Sequence, residues 1–599
     1  MPRSLLLEDR MYFTRRALAM SAVLLAAVTS ACSKDSTTAP SAPAPIVGVS
    51  VVAKSISSIQ ISFTSIAGDV SYDIERAEGA TGGTFTAVTN VPAPATAGAV
   101  TYTDASLKTN TTYRYRVFTN KNSLKSVASG EATTATLAFG NAAATISADI
   151  GASRTLYADT AYTLSGFIHV GNGATLTIQP GTVIKGDYNV LGSTLMIMKG
   201  AKIQAVGTAD APIVFTSSRA AGSRQPGDWG GLILVGNGLN NRSGAVAVEG
   251  TGTDGATVVT GKNYTVVYNG GTIANDNSGT LAYVRVEFGG YAPLQDQEFN
   301  SFTFCAIGSG TRASYLESLD GLDDSYEFFG GAIDIDHIIA FETADDVLDM
   351  SEGFSGRVQF AIGISTNQLT PRTGAGFYSV DLEGIENDGC NGTGCDLGFN
   401  STPFTIPLVA NFTLIGCGLQ SCMGASGGHG MMLRRGTGGY YVNGVIARWS
   451  ADGVSLRDTA TFVRGGSTTT PSNTADLQLR NILFSEVGPA GTPTLFQPNT
   501  ATPSTQFALD ATANNLTLST ATAASLFVLI PAVGTVPTAL SNFDFTPSTG
   551  SPIATGGLSP FTGSILTKAG TFVTATTYRG AVDPAGAKWW AGWTNYARN

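Results

Sequence analysis

Charged side chains are scarce in this chain. Asp, Glu, Lys and Arg make up 13% of its 599 residues, and 34 basic against 44 acidic side chains leave a formal net charge of −10. A chain with that balance is not built to neutralise nucleic-acid phosphates or to lie on an anionic membrane. Cysteine is scarce too: six residues cannot staple a fold of this size, so the core must come from apolar burial. After residue 28 there is no run of about 18 apolar residues of the kind a membrane-spanning helix needs. Long stretches with apolar residues at helical spacing are missing as well. Glycine is abundant instead, at 72 residues, alongside Ser and Thr, and this composition points to an all-β extracellular protein.

The acidic residues are not spread evenly. Residues 313–356 hold 12 of the 44 and no Lys or Arg. Written as two lines of 22, ASYLESLDGLDDSYEFFGGAID lies over IDHIIAFETADDVLDMSEGFSG. Asp323 then falls over Asp345, Asp324 over Asp346, Leu316 over Ile338, Leu319 over Phe341 and Phe328 over Met350. A period in the low twenties with apolar positions in register marks a solenoid coil. The runs are short and alternate β-branched or aromatic residues with polar ones, so the coils read as β-strands. Other segments repeat too. Ala174-Thr175-Leu176-Thr177-Ile178 returns after 19 residues as Ser193-Thr194-Leu195-Met196-Ile197. Gly430-Met431-Met432-Leu433-Arg434 returns after 23 as Gly453-Val454-Ser455-Leu456-Arg457. One coil cannot bury its apolar face alone, so neighbours must stack into a continuous core.

Residues 1–32 read as a targeting segment. Arg15 and Arg16 precede an apolar run over residues 17–28, and small residues lead to Cys32. Thr29-Ser30-Ala31-Cys32 resembles a bacterial lipobox, with Thr29 where Leu is commoner. The resemblance implies lipidation of Cys32 as the first mature residue; an ordinary secretory signal cut near Ala31 is the other reading. Ser33-Lys34-Asp35 fits delivery to the outer membrane or cell surface, with the chain anchored by lipid. Residues 33–46, rich in Pro, Ala, Ser and Thr, read as a semi-extended tether.

Residues 47–138 carry short alternating strands such as Ile59-Gln60-Ile61-Ser62-Phe63 and Tyr113-Arg114-Tyr115-Arg116-Val117 at sandwich spacing. Tyr102-Thr103-Asp104, Leu107 and Thr112-Tyr113 resemble the end of a fibronectin type III domain. That implies a corner role for Tyr113, its hydroxyl tied back to the backbone. The family's core Trp is absent and Phe63 stands in its place. A spacer is the expected role.

The solenoid is expected over residues 145–599, and from about residue 150 to 599 the chain resembles bacterial surface lipoproteins with a right-handed parallel β-helix of the pectate-lyase-like superfamily. The matching runs are Thr177-Ile178-Gln179-Pro180-Gly181-Thr182, Pro226-Gly227-Asp228-Trp229-Gly230-Gly231, Tyr283-Val284-Arg285-Val286-Glu287-Phe288, Glu327-Phe328-Phe329-Gly330-Gly331 and Tyr578-Arg579-Gly580-Ala581. The expected fold is therefore all-β: a fibronectin type III β-sandwich followed by a parallel β-helix solenoid. Residues 465–575 are expected to complete the last coils and cap the open end. Trp589, Trp590 and Trp593 are expected as a packed cap rather than a sugar-stacking platform.

Extending the 22-residue register predicts a column of polar side chains. Asp323 stacks on Asp345, the cluster Glu386-Asn387-Asp388 follows after an insertion, and His429 and Asp452 come next. Coils stack about 4.8 Å apart. Two carboxylates about 5 Å apart repel by roughly 3 kcal/mol at an effective dielectric near 20. A bound cation, shared protons or splaying into water must relieve that repulsion. Ca2+ suits the first option, with Asp323, Asp324, Asp345 and Asp346 as ligands, because it takes several carboxylate oxygens in tolerant geometry. A solvated acidic face is the plainer alternative.

An enzyme is the rival reading. Paired Asp residues one coil apart, with Gly428-His429-Gly430 and Arg434-Arg435, resemble the catalytic set of polygalacturonase-type β-helices. The resemblance implies Asp323, Asp345 and Asp346 as acid and base, His429 as auxiliary, and Arg434 or Arg435 as substrate clamp. However, His429 lies several coil lengths beyond Asp346 where one is expected, and the family's Asn-Thr-Asp and Arg-Ile-Lys runs are absent. A lyase would need a base such as Arg357 beside bound Ca2+. The expectation is a non-catalytic module that binds or scaffolds an extracellular polysaccharide, an ion or a partner protein. A polysaccharide hydrolase or lyase is the alternative.

Cys390-x4-Cys395 and Cys417-x4-Cys422 offer four thiols that zinc would accept, but an exported chain favours disulfides. Local pairing, 390 with 395 and 417 with 422, is expected, with pairing across adjacent coils as the alternative. Cys305 is left as a buried thiol.

Overall fold

The computed structural model describes residues 41–597 apart from 69–70, 106, 139, 141, 254–263, 269–270, 295–296, 467–475 and 498–509. The targeting segment with Cys32 and the tether up to residue 40 lie outside the described residues.

Alternating strands first close an antiparallel sandwich. Ser58–Thr64 pairs with Ser50–Ser55 and Ala99–Asp104 in one sheet; Ser71–Glu78 pairs with Thr86–Pro92 and Thr112–Lys121 in the other. Every second residue points inward, which puts Ile59, Ile61, Phe63, Tyr72, Ile74, Tyr115 and Val117 in one core. The Tyr113 hydroxyl accepts the Lys108 N–H at 3.0 Å, the tie that the fibronectin resemblance implies. Leu137, Ile56, Ala158 and Ala211 form a small apolar seam between the sandwich and the first coils.

From Ala142–Ile146 to Thr517–Ser519 the strands pair in parallel with the coil before and the coil after, as a β-helix requires. The 22-residue register is correct, with Leu316 on Ile338 and Phe328 on Met350, and so is the 23-residue one, with Met432 on Ser455. The 19-residue repeat is not. Thr175 lies on Lys202 and Phe167 on Thr194, so Leu176 and Leu195 belong to different sheets. Both faces of a coil carry the same apolar alternation, and similarity of pattern alone does not tell them apart.

In the middle coils two faces are made by one long strand bent at a corner: Gly279–Glu287, Arg312–Gly321, Asp334–Thr343, Arg357–Ile364 and Leu408–Ile415. The corner residues Tyr283, Tyr315, His337, Phe360 and Asn411 have φ between 50° and 62°. Such backbone is strained for residues other than glycine, and ring stacking along the corner offsets it: Tyr283 to Tyr315 is 4.4 Å and Tyr315 to His337 is 4.6 Å between centroids. The remaining face is a nine-stranded sheet. Its central strands are β1 (Phe302–Cys305), β2 (Tyr326–Phe329), β3 (Leu348–Ser351), β4 (Ile385–Asp388) and β5 (Met432–Arg434). Phe302 on Tyr326 and Phe304 on Phe328, each 5.2 Å apart, stack inside the solenoid.

The C-terminal residues differ from a simple end cap. They run back as a strap along the outer side of the bent sheet, where Phe288, Leu319, Phe341, Ile362 and Ile415 would otherwise leave an apolar band open to water. Phe341 meets Phe543, Phe545 and Tyr596, and Trp593 stands edge-on to Tyr283 and Tyr315. Trp590 and Trp593 are buried there, which leaves neither free to stack on a sugar.

Candidate metal centre

Ten of the twelve acidic residues of the 313–356 stretch, all but Asp320 and Asp336, divide between two sides of the solenoid. Glu317, Asp334 and Glu342 serve the bent sheet and its strap: Arg285 approaches Glu317, Arg357 grips Asp334, and Glu342 accepts from Thr366 and Tyr596. Asp323, Asp324, Glu327, Asp345, Asp346, Asp349 and Glu352 lie on the other side, around β2 and β3.

Backbone register sets that arrangement. Tyr326 pairs with Leu348, Leu348 with Ile385, Glu386 with Met432 and Met432 with Ser455. Two residues ahead of these strands, Asp324, Asp346, Glu383, His429 and Asp452 therefore stand one above another on successive coils. Main-chain bonds carry the ladder through the corner, from Ser325 N–H to Asp346 O, Val347 N–H to Glu383 O and Gly384 N–H to His429 O. Side chains join in: Asp324 N–H donates to Asn300 Oδ1 at 3.2 Å and Asp346 N–H to Asp324 Oδ1 at 2.8 Å. Asp323 and Asp345 stand one residue earlier. A second column faces outward from the sheet, with Thr303, Glu327, Asp349 and Glu386 on β1 to β4.

Three overlapping triads result: Asp323 with Asp324 and Asp345; Asp324 with Asp346 and Asp349; Asp345 with Asp346 and Glu383. In each, one carboxylate oxygen per residue lies within 4.8 Å of the others. Asp323, Asp324, Glu327, Asp346 and Glu383 are buried. Asp346 Oδ1, Asp349 Oδ1 and Glu383 Oε1 are shielded from water with no hydrogen-bond partner among the described residues.

Burial, which penalises the charged form, lifts all of these carboxyls, and their neighbours lift them further. Asp346 is raised well above the usual range by burial first, then by Glu383, Asp324 and Asp345. Asp324 is raised by burial, then by Asp323 and Asp349. Burial pushes Asp345 up to about 8, with a Ser379 hydrogen bond opposing and Glu386 adding. Glu249, from an insertion, goes to about 8 through burial and Glu298. Glu386 reaches about 7 through burial and Asp388, against Arg434 and Arg435.

Among the described residues, cations meet the cluster along one edge. Arg434 pairs with Glu386 and, at 2.9 Å, with Asp388, while Arg435 pairs with Asp388. Arg242 pairs with Glu352, which also accepts from Tyr268. His429 Nδ1 lies 2.8 Å from Asp452, and Arg457 donates to its Nε2 at 3.2 Å. Two cavities open on the columns. One, of about 250 Å3, is lined by Asp345, Asp346, Asp349, Glu383, Glu386 and Arg457. The other, of about 190 Å3, lies across Asp349 and Glu386, beside Asp388 and Arg435. The loop above them presents exposed Phe377 and Tyr378 to a cavity of about 490 Å3 that Glu298, Ser379 and Asp381 also line.

The structure thus brings together Asp323, Asp324, Asp345 and Asp346, the four residues expected as metal ligands. It places Glu383, rather than the Glu386-Asn387-Asp388 cluster, in the column between Asp346 and His429. Glu386 belongs to the outward column with Asp349, and Asp388 to the Arg434 pair. The insertion over residues 365–382 hides the phase in the sequence. His429 is held on both ring nitrogens, and Arg434 is engaged by two carboxylates. Arg357, the suggested lyase base, faces the strap and not this site. Glu249 and Glu298 carry no repeat signal, whereas Arg457 closes the second copy of the repeat whose first copy ends at Arg434. Both disulfides are local, Cys390–Cys395 and Cys417–Cys422, and Cys305 is a buried thiol.

Fold and site together define a parallel β-helix with buried carboxylates stacked along one flank. The chain belongs to the pectate-lyase-like β-helix family, whose model matches residues 148–525. Solved structures match over a small share of the chain. An Fn3-like protein from Clostridium thermocellum is 29% identical, over 16% of this chain and 92% of that one, with a TM-score of 0.14. The fn3 domain of human collagen alpha-1(XX) is 25% identical, over 17% and 92%, also at 0.14. A crystal structure of titin domains is 24% identical over 16% of this chain, at 0.14, and this chain spans only 32% of its length. No curated protein matches the chain.

Proposed function

We propose that this protein is an exported, lipid-anchored surface module whose acidic flank holds divalent cations, Ca2+ foremost, and binds an extracellular polysaccharide without cleaving it. Family membership supports a carbohydrate-related role. The observation that carries the cation is the pair Asp346 and Glu383: each is buried and keeps an oxygen with no hydrogen-bond donor inside a triad of carboxylates. Leaving such atoms bare is costly, and a hard cation with oxygen ligands satisfies them. Asp323, Asp324, Asp345, Asp346, Asp349 and Glu383 would hold it.

Several features favour binding over catalysis. Each triad gathers three carboxylates about one point, with one oxygen per residue within 4.8 Å of the others, whereas sugar cleavage sets two carboxyls on either side of the scissile bond. His429 has no free ring nitrogen with which to act as an auxiliary. The exposed Phe377 and Tyr378 offer apolar faces for sugar rings beside the cation-loaded flank. Among the described residues no helix is long and apolar enough to cross a membrane. Attachment to the outer membrane or cell surface is assigned to Cys32, and incorporation of labelled palmitate that is lost in Cys32→Ser tests it.

A glycan array probed with and without Ca2+ tests the main reading. Retention of a polysaccharide only with Ca2+, with no reducing ends released, is the expected result. Steady release of oligosaccharides that stops in Asp345→Asn would establish the hydrolase or lyase instead.

A further inference from the structure

A cavity of about 870 Å3 lies away from the acidic columns, where the strap meets the bent sheet. Asp334, Arg357 and Tyr440 line it from the solenoid, Phe404 and Ile406 from a loop, and Lys568 from the strap helix Gly563–Ala569. We propose that this cavity binds a small organic monoanion with a flat apolar body, an aryl carboxylate, and that Lys568 supplies the countercharge.

Arg357 grips both oxygens of Asp334, with Nε at 2.7 Å and Nη2 at 2.5 Å, and its Nη1 donates to Ala569 O at 2.9 Å. That ion pair is self-contained. Lys568 donates to the main-chain oxygen of Ser355, and no carboxylate among the described residues forms a salt bridge with it. The charged residues lining the cavity are Asp334, Arg357 and Lys568, so one positive charge is left over in a chain of net charge −10. Burial and then the nearby Arg357 pull the Lys568 ammonium down to about 8, with Asp334 opposing. An anion in the cavity removes that penalty.

A volume of this size lies within the range of about 300–1,000 Å3 usual for small-molecule sites. Phe404, Ile406 and Tyr440 give an apolar, partly aromatic wall, and the Arg464 guanidinium lies 3.3 Å over the Phe404 ring. A flat ring is the body that such a wall accepts at low entropic cost. A doubly charged anion would exceed the single countercharge, and a small aliphatic acid would leave the wall unused.

Calorimetry on the full chain in EDTA decides this, with 4-hydroxycinnamate, its methyl ester and acetate as probes. One 4-hydroxycinnamate per chain is expected, with the ester and acetate roughly ten-fold weaker or worse. Lys568→Met should lose affinity by a similar factor and Lys568→Arg should keep it. Thr567→Trp, at an exposed helix position on the cavity rim, should block the site without lowering Tm. Absence of heat with 4-hydroxycinnamate in the wild type overturns the proposal. Binding that survives both Lys568→Met and Thr567→Trp overturns it too.

Discussion

The backbone N–H of Asp346 donates to Oδ1 of Asp324, one coil earlier, at 2.8 Å, while Oδ1 of Asp346 has no partner among the described residues. The same ladder that stacks the coils therefore fixes the spacing of the acids. The backbone cannot let these carboxylates spread without losing hydrogen bonds on every coil. Relief must come from protons or from bound cations.

The pH dependence of stability follows from that constraint. Asp345 and Glu249 at about 8 and Glu386 at about 7 all stand above the values near 4 of the unfolded chain. The folded state then holds protons that the unfolded state releases. The stability these groups add is complete below about pH 4 and is lost as pH climbs through 7 and 8. Asp73 and Asp544, lowered by hydrogen bonds and lysines despite burial, act in the opposite sense and only at more acid pH. Cation-free protein should melt highest near pH 5 and lower at pH 8.5, and excess Ca2+ should abolish the fall. Thermal melts across that range, with EDTA or Ca2+, check it.

Glu383→Gln separates the cation from generic acidity. At pH 8.5 without cation it removes an acid that the unfolded chain ionises freely and the buried site penalises, so Tm should rise. With Ca2+ the variant should bind roughly ten-fold more weakly and gain less from the ion. A variant that loses stability under both conditions would point to Glu383 as a packing residue only.

Replacing His429 by Ala probes the rival enzyme role. Asp452 would be left buried without its partner, a cost of about 1–3 kcal/mol. Urea unfolding should register that loss while Ca2+ affinity stays unchanged.

Trp593→Ala tests the strap. The indole is buried against Tyr283 and Tyr315, and removal of a buried Trp costs about 3–5 kcal/mol. Limited proteolysis should then cut within the C-terminal residues before the coils are attacked.

Much of the fold is legible in the sequence wherever consecutive coils have equal length. Leu316 over Ile338 and Phe328 over Met350 are true neighbours because nothing is inserted between their coils. The site is legible to the same extent, so Asp324 and Asp346 are found. Glu383 is missed because residues 365–382 shift the phase, and Glu249 because it comes from an insertion outside the repeat. The 19-residue match fails for a different reason: Leu176 and Leu195 share a pattern but not a face. The strap is hidden because Trp593 reaches Tyr283 from the far end of the coils, with no local signal to announce the contact.

Titration of Ca2+ into EDTA-stripped protein at pH 7.5, followed by calorimetry, reaches the central claim most directly. Wild type should give saturable heat with proton release, and the double variant Asp345→Asn/Asp346→Asn should give none. A flat trace for the folded wild type would mean that shared protons alone keep this column together.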